Sequence, residues 1–305
     1  MSAPRIAIQP MHRAFAAAAI EAGGGVVTDV DAADALVWIG EHDVEALGKL
    51  LAGAPQLDWV QLPSSGIEEF VAAGLLEDHR TWTCTKGAYA EPVAEHALAL
   101  ALAGLRCLDE RVVARSWGPE GGVSLYDTDV TVLGGGGITR ALLELLAPFR
   151  TRTTVVRRSP EPVAGATRTL PPSRLAEALP GAAVVFLALA LTPETIGIIG
   201  AQELELMGPQ AWLVNVARGR HVVTDDLVAA LHRGTIAGAA LDVTDPEPLP
   251  ERHPLWTAPH CIITPHTADP WDMVEPRLAR RIKENVARWA AGRPLIGLID
   301  RQTGY

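Results

Sequence analysis

Short apolar runs alternate with longer Ala/Leu-rich stretches along most of this chain. Ile6 to Ile8, Ala35 to Ile39 and Asp58 to Leu62 are short and β-rich, and the stretches His12 to Ala22 and Val44 to Ala52 between them read as helices. That alternation predicts βαβ units and a parallel sheet. Pro92-Val93-Ala94-Glu95-His96 opens a longer helical run to about Arg115, with Pro92 suited to a first helical turn. The Gly/Pro/Ser-rich passage from Ser116 to Ser124 reads as a connection. A second series follows, with strands expected at Asp129 to Leu133, Thr153 to Val156, Ala183 to Ala188, Ala211 to Val216, Gly238 to Val243 and Cys261 to Thr264. Those six strands are the complement of a doubly wound dinucleotide fold, and a helix from about Trp271 to Ala291 closes the pattern.

Composition narrows the picture. At 305 residues the chain exceeds a usual single core, so two domains are expected. With 26 basic against 36 acidic side chains, the net charge of −10 repels phosphate backbones and anionic lipid, and nucleic acid is not an expected partner. Cys84, Cys107 and Cys261 are too scattered for a disulfide framework and fit a reducing compartment. The amino terminus reaches an apolar strand at Ile6 without the longer apolar core of a signal peptide, and Leu98 to Leu105 is too short to span a bilayer. A cytoplasmic protein without a membrane partner is expected.

Two stretches carry chemistry. Val130-Thr131-Val132-Leu133 runs into Gly134-Gly135-Gly136-Gly137-Ile138-Thr139, a glycine loop between strand and helix. There Gly134 allows a tight turn, Gly136 lets backbone approach a pyrophosphate, and the helix start at Gly137 and Ile138 supplies N–H groups and dipole. Thr139 holds the place of the third glycine. After the next strand an acidic residue would signal NAD, but Arg157-Arg158-Ser159 stands there and suits a ribose with a 2′-phosphate. NADP is therefore the preferred cofactor over NAD, with Arg158 the leading phosphate ligand; the competing reading is that both arginines only solvate a sheet edge. Farther on, Arg218, Glu247 and His266 each follow an apolar strand run. A guanidinium, a carboxylate and an imidazole meeting at the carboxyl edge of a sheet could grip an anionic substrate and move a proton. No cluster has metal-ligand spacing, so no metal is expected.

Nearly the whole chain resembles the D-isomer-specific 2-hydroxyacid dehydrogenase family. The likeness rests on Leu62-Pro63-Ser64-Ser65-Gly66-Ile67, Val93-Ala94-Glu95-His96, the Gly134 loop and Leu191-Thr192-Pro193-Glu194-Thr195. It rests above all on Asn215-Val216-Ala217-Arg218-Gly219, followed by Ala240-Leu241-Asp242-Val243, Glu247-Pro248 and Thr264-Pro265-His266. The resemblance implies that Arg218 binds the substrate carboxylate and polarises the carbonyl, that His266 is the acid–base group, and that Glu247 orients its ring. It assigns Ser65, Gly66 and Ile67 to the carboxylate-binding loop, Asp242 to the nicotinamide carboxamide, and Thr195 and Ala217 to the cofactor. It places His96 at a hinge or subunit contact. His42, His79, His221, His232, His253 and His260 read as surface residues. Thr139, and Ala190 where many relatives have proline, depart from the family pattern.

The fold so implied is α/β, with two Rossmann-like or flavodoxin-like doubly wound parallel-sheet domains and an interdomain cleft. Residues 1–97 and 270–305 would form the substrate domain and 98–269 the dinucleotide-binding domain. Excess apolar surface on the run from Pro92 to Arg115 suggests a homodimer. The expected activity is hydride transfer between NADPH and a small 2-oxo acid such as glyoxylate or hydroxypyruvate, with Tyr89, Trp271 and Met273 as candidate pocket residues. Phosphite or formate oxidation is a rival, formate being disfavoured because such relatives carry glutamine at the place of Glu247. A nucleotide-sensing binding protein is the rival from another class, disfavoured by the acidic charge and by a chain ending at Tyr305 without a recruiting extension.

Overall fold

The computed structural model describes residues 3–40, 43–159 and 161–300. The chain divides into two compact units, one running to Tyr89 and resuming at Pro270, the other spanning Ala90–Asp269.

The first unit contains β1 (Arg5–Gln9), β2 (Val26–Val27), β3 (Ala35–Trp38), β4 (Trp59–Gln61) and β5 (Thr81–Thr83), all parallel in the order β2-β1-β3-β4-β5. That is the flavodoxin-like order of doubly wound sheets. Helices α1 (Ala14–Ala22), α2 (Val44–Gly53) and α3 (Glu68–Ala72) provide crossovers. Leu36, Trp38, Val60, Leu62 and Phe70 pack into one core, each such side chain contributing roughly 1.5–3 kcal/mol by leaving water. β2 and β5 have no counterpart among the expected strands. Two or three residues are too few to show an alternation, and only pairing with β1 and β4 makes them strands.

The second unit opens with α4 (Ala90–Leu105) and α5 (Leu108–Arg111). The expected helix to Arg115 is therefore corrected: it stops ten residues early. Cys107 adopts φ 54, and the Leu105 carbonyl is taken by the N–H of Val123 as the chain returns (2.7 Å). Seven parallel strands follow: β6 (Asp129–Leu133), β7 (Arg152–Val156), β8 (Arg168–Leu170), β9 (Val184–Leu187), β10 (Trp212–Asn215), β11 (Gly238–Leu241) and β12 (Cys261–Ile263). Their order, β12-β11-β10-β9-β6-β7-β8, is the dinucleotide-binding order extended at one edge. β8, beginning at exposed Arg168, was not expected from the pattern. Between the strands lie α6 (Gly137–Leu146), α7 (Leu175–Ala178), α8 (Ala201–Met207) and α9 (Thr224–Arg233). The chain returns to the first unit through α10 (Trp271–Ala290), which packs on α1.

β9, β10 and β11 are buried along their whole lengths, as parallel strands covered on both faces must be. Because all seven strands run the same way, the segments leaving β6, β9, β10, β11 and β12 emerge together at one sheet edge. Among the described residues no helix is long and apolar enough to cross a membrane.

Candidate active site

Beyond β10 the amide of Asn215 shapes the chain: its Nδ2 donates to the Arg218 carbonyl (2.9 Å) and its Oδ1 accepts from the Ala217 N–H (3.0 Å). Arg218 is half-buried, with Nη1 donating to the Ala217 carbonyl (2.7 Å). The next residue must be glycine, since a Cβ at Gly219 would overlap the carbonyl of Thr244. The turn bearing Arg218 thus lies backbone against backbone with the turn bearing Glu247.

Glu247 Oε1 stands 2.6 Å from Nδ1 of His266. A carboxylate only accepts, so Nδ1 is the donor in this bond. His266 has the left-handed φ of 50 and donates its N–H to the Asp242 carbonyl (2.8 Å). The hydrogen bond to Glu247 holds the His266 pKa above the ordinary imidazole value, against partial desolvation and the positive charge of Arg218. Partial burial pushes Glu247 upward, but its hydrogen bond with His266 and the nearby cations hold it below the usual carboxylate range.

Behind His266, the buried carboxylate of Asp242 organises the same loop. Its Oδ1 accepts from Thr264 Oγ1 (2.6 Å) and the Thr267 N–H (2.9 Å), and its Oδ2 from the Ala268 N–H (3.1 Å). Desolvation alone would raise the Asp242 pKa, yet bonds from His96, Thr264 and Thr267 keep it low.

At the junction of β6 and β9, where the strand order reverses, Gly134 takes φ +113 and a Cβ would collide with the Ala188 carbonyl. Gly134 is thus glycine for the protein's own packing. Gly136 differs: a Cβ there meets no protein atom within 4 Å, and the residue caps the start of α6, at Gly137 and Ile138. Open space against a helix amino end fits the pyrophosphate of a dinucleotide. Thr139, in the third-glycine place, is fully buried and donates its hydroxyl to the Gly134 carbonyl (3.0 Å), tying the loop together.

Arg157, Arg158 and Ser159 leave β7 directly. The Arg157 side chain lies over Gly135, Arg158 is exposed, and Ser159 Oγ donates to Glu161 Oε2 (3.1 Å). Thr195 turns its hydroxyl inward, accepting from the Thr192 N–H (2.8 Å) and lying 2.9 Å from the Ala190 carbonyl, so it braces the segment after β9.

In the first unit Ser65 is exposed, Gly66 half-buried and Ile67 buried at the start of α3. The Pro63 carbonyl accepts from Thr85 Oγ1 (2.9 Å) and Tyr89 Oη (2.7 Å), and Ser64 Oγ donates to the Gly66 carbonyl (2.7 Å). Tyr89 is buried as the anchor of this loop, while Trp271 meets Phe15 edge-on at 6.0 Å and Met273 is exposed.

The histidines need one correction. His221, expected at the surface, is fully buried, its Nδ1 3.0 Å from the Arg218 carbonyl and its Nε2 3.3 Å from the Ala190 carbonyl. Its place three residues after Arg218 and beside Val222-Val223 was the available signal. His79, His232 and His260 are exposed, His253 is half-buried, and His42 lies outside the described residues.

The model of the D-isomer specific 2-hydroxyacid dehydrogenase NAD binding domain matches residues 96–268, which include the glycine loop, Arg218, Glu247 and His266. The chain belongs to the D-isomer specific 2-hydroxyacid dehydrogenase family. A relative from Serratia proteamaculans, glyoxylate/hydroxypyruvate reductase A, is 31% identical over 286 residues, covering 89% of this chain and 87% of its own. An uncharacterized protein in the proB 3′ region of Corynebacterium melassecola is 40% identical over 255 residues, 82% of this chain and 84% of that one. A crystal structure of a D-isomer specific 2-hydroxyacid dehydrogenase from Xanthobacter autotrophicus Py2, in complex with NADPH and MES, superposes with a TM-score of 0.86 at 26% identity, covering 100% of both chains. This 2-hydroxyacid dehydrogenase is accordingly an NAD(P)-dependent oxidoreductase.

Proposed function

We propose that this enzyme is an NADPH-dependent reductase of a small 2-oxo acid of the glyoxylate or hydroxypyruvate kind, forming the D-hydroxy acid where a stereocentre arises. The observation that carries the reading is the 2.6 Å pair of Glu247 and His266 beside the turn of Arg218. The nicotinamide cofactor supplies the hydride. Arg218 holds the substrate carboxylate and polarises the carbonyl, since a guanidinium stays charged and offers paired donors. Nε2 of protonated His266 gives its proton to the oxygen as negative charge develops there, and the ring regains one from water. Glu247 keeps Nδ1 protonated and the ring in plane.

The backbone N–H groups of Ser65, Gly66 and Ile67 are proposed as a binding loop for an anionic group of the substrate. Gly134, Gly136, Gly137 and Ile138 would cradle the pyrophosphate, with Ala217 and Thr195 shaping the adjoining turns and Asp242 offering Oδ2 to the carboxamide. Arg157, Arg158 and Ser159 at the end of β7 favour a 2′-phosphate, in keeping with the NADPH named for the Xanthobacter relative. We place the enzyme in the cytoplasm, in keeping with its three free cysteines. A homodimer is supported by exposed Val112, Val113 and Trp117 in the segment after α4.

NADPH and NADH oxidation with a series of 2-oxo acids tests the whole reading. NADPH-dependent turnover of a two- or three-carbon oxo acid is expected, and its loss in His266→Ala and Arg218→Ala with cofactor binding kept. Absence of turnover on every oxo acid with either cofactor overturns it.

A further inference from the structure

A second histidine–carboxylate contact lies behind the first. His96, on α4, places Nε2 3.1 Å from Thr264 Oγ1 and 3.3 Å from Asp242 Oδ1. The Thr264 hydroxyl spends its one hydrogen on Asp242 Oδ1 at 2.6 Å. Both atoms facing His96 Nε2 are therefore acceptors, and Nε2 must carry hydrogen. The partners thus decide the tautomer of His96.

That donor completes the hold on a five-residue loop. Within Thr264–Ala268, the side chain of Thr264 and the N–H groups of Thr267 and Ala268 all bond to the Asp242 carboxylate, and the N–H of His266 bonds to the Asp242 carbonyl. His266 sits at its centre with φ 50, a conformation costing on the order of 1 kcal/mol or more for a residue with a Cβ. Such a loop keeps its shape only while its surroundings hold it. All these bonds reach the loop from Asp242, which follows β11 as Thr264 follows β12, each one residue beyond the Leu241–Ile263 pair. His96 approaches from a different element.

We propose that His96 is a positioning residue for the acid–base histidine: through its Nε2–H it locks Thr264 and Asp242, and with them the backbone that aims His266 at Glu247. This rests on reading His266 as the proton donor, with His96 acting on it through Thr264 and Asp242.

The test compares His96→Leu, which removes the donor, with His96→Gln, whose amide can reach the same acceptors, in the full chain carrying labelled histidine. The His266 ring is titrated by NMR, assigned by its loss in His266→Ala. The charged groups around His266 are Glu247 and Asp242, which raise its pKa, and Arg218, which lowers it. A slackened loop loosens the bond to Glu247, so the His266 midpoint should fall toward the ordinary imidazole range in His96→Leu and recover in His96→Gln. Reductive kcat should fall about ten-fold or more and recover likewise in His96→Gln. Should His96→Leu not fold, Thr264→Val removes the bridging hydroxyl and should lower the midpoint in the same way. An unchanged or raised His266 midpoint, or a His96→Gln no better than His96→Leu, overturns the proposal. If wild-type protein reduces no oxo acid, the functional reading fails, while the titration still decides whether His96 positions His266.

Discussion

Glu247 Oε1 and His266 Nδ1 stand 2.6 Å apart although both side chains reach solvent, at 40% and 44% exposure. For His266 the hydrogen bond is the larger influence on the pKa, whereas for Glu247 partial burial is the largest single influence and the bonds and nearby cations outweigh it together.

The raised His266 pKa keeps the proton-donating form populated above the ordinary histidine range. Reductive kcat should fall as pH rises through that pKa, at a higher pH than an ordinary imidazole would give. In Glu247→Gln the alkaline limb should move to lower pH, read from a kcat profile. The stability contributed by this pair follows the same signs. His266 contributes fully below its unfolded pKa and loses this as pH rises through the raised folded value. Glu247 contributes above its unfolded pKa and loses this as pH falls through the depressed one.

Arg218→Lys keeps a charge but loses the forked donors. Its kcat/KM for the oxo acid should drop by about 10- to 100-fold, a loss of roughly 1.4–2.8 kcal/mol of transition-state stabilisation. His266→Ala should lower kcat by about 10²- to 10⁴-fold, the usual contribution of a general acid. Fluorescence titration with NADPH should show cofactor affinity within a few-fold of wild type in both.

The two loop glycines should fail differently. Gly134→Ala forces a Cβ into the Ala188 carbonyl at φ +113, so it should lower Tm, costing about 3 kcal/mol or more. Gly136→Val meets no protein atom within 4 Å near its Cβ, so it should fold with little change in Tm and lose dinucleotide binding. Thermal scans with and without NADPH separate the two outcomes.

Arg158 is exposed and is the proposed contact for a 2′-phosphate. Arg158→Ala should raise the KM for NADPH by about 10- to 100-fold, the worth of one or two charge-assisted bonds, and leave the KM for NADH nearly unchanged. Equal effects on both cofactors would place the arginine outside the phosphate site.

Val112, Val113 and Trp117 are 72%, 65% and 98% exposed. Sedimentation of the full chain should give a dimer, and Val113→Glu should shift it toward monomer. A monomeric wild type at micromolar concentration would remove this segment as a subunit contact.

The order of strands and helices, the glycine loop after β6 and the polar residues closing the long apolar runs were all legible in the chain. Each depends on local period: a parallel strand buried on both faces must be apolar, and its polar groups can appear only where it ends. β2, β5 and β8 were not legible, because their two or three residues become strands only through a neighbour's hydrogen bonds. Neither was the end of α4, which depends on Val123 returning to the Leu105 carbonyl. The site divides along the same line. Arg218, Glu247 and His266 could be named from sequence. Two further features came only from folding: the Gly219–Thr244 contact and the bond from His96 to Thr264, 168 residues away. Distances between atoms so far apart along the chain are set by how the parallel strands stack, and no local pattern of side chains encodes them.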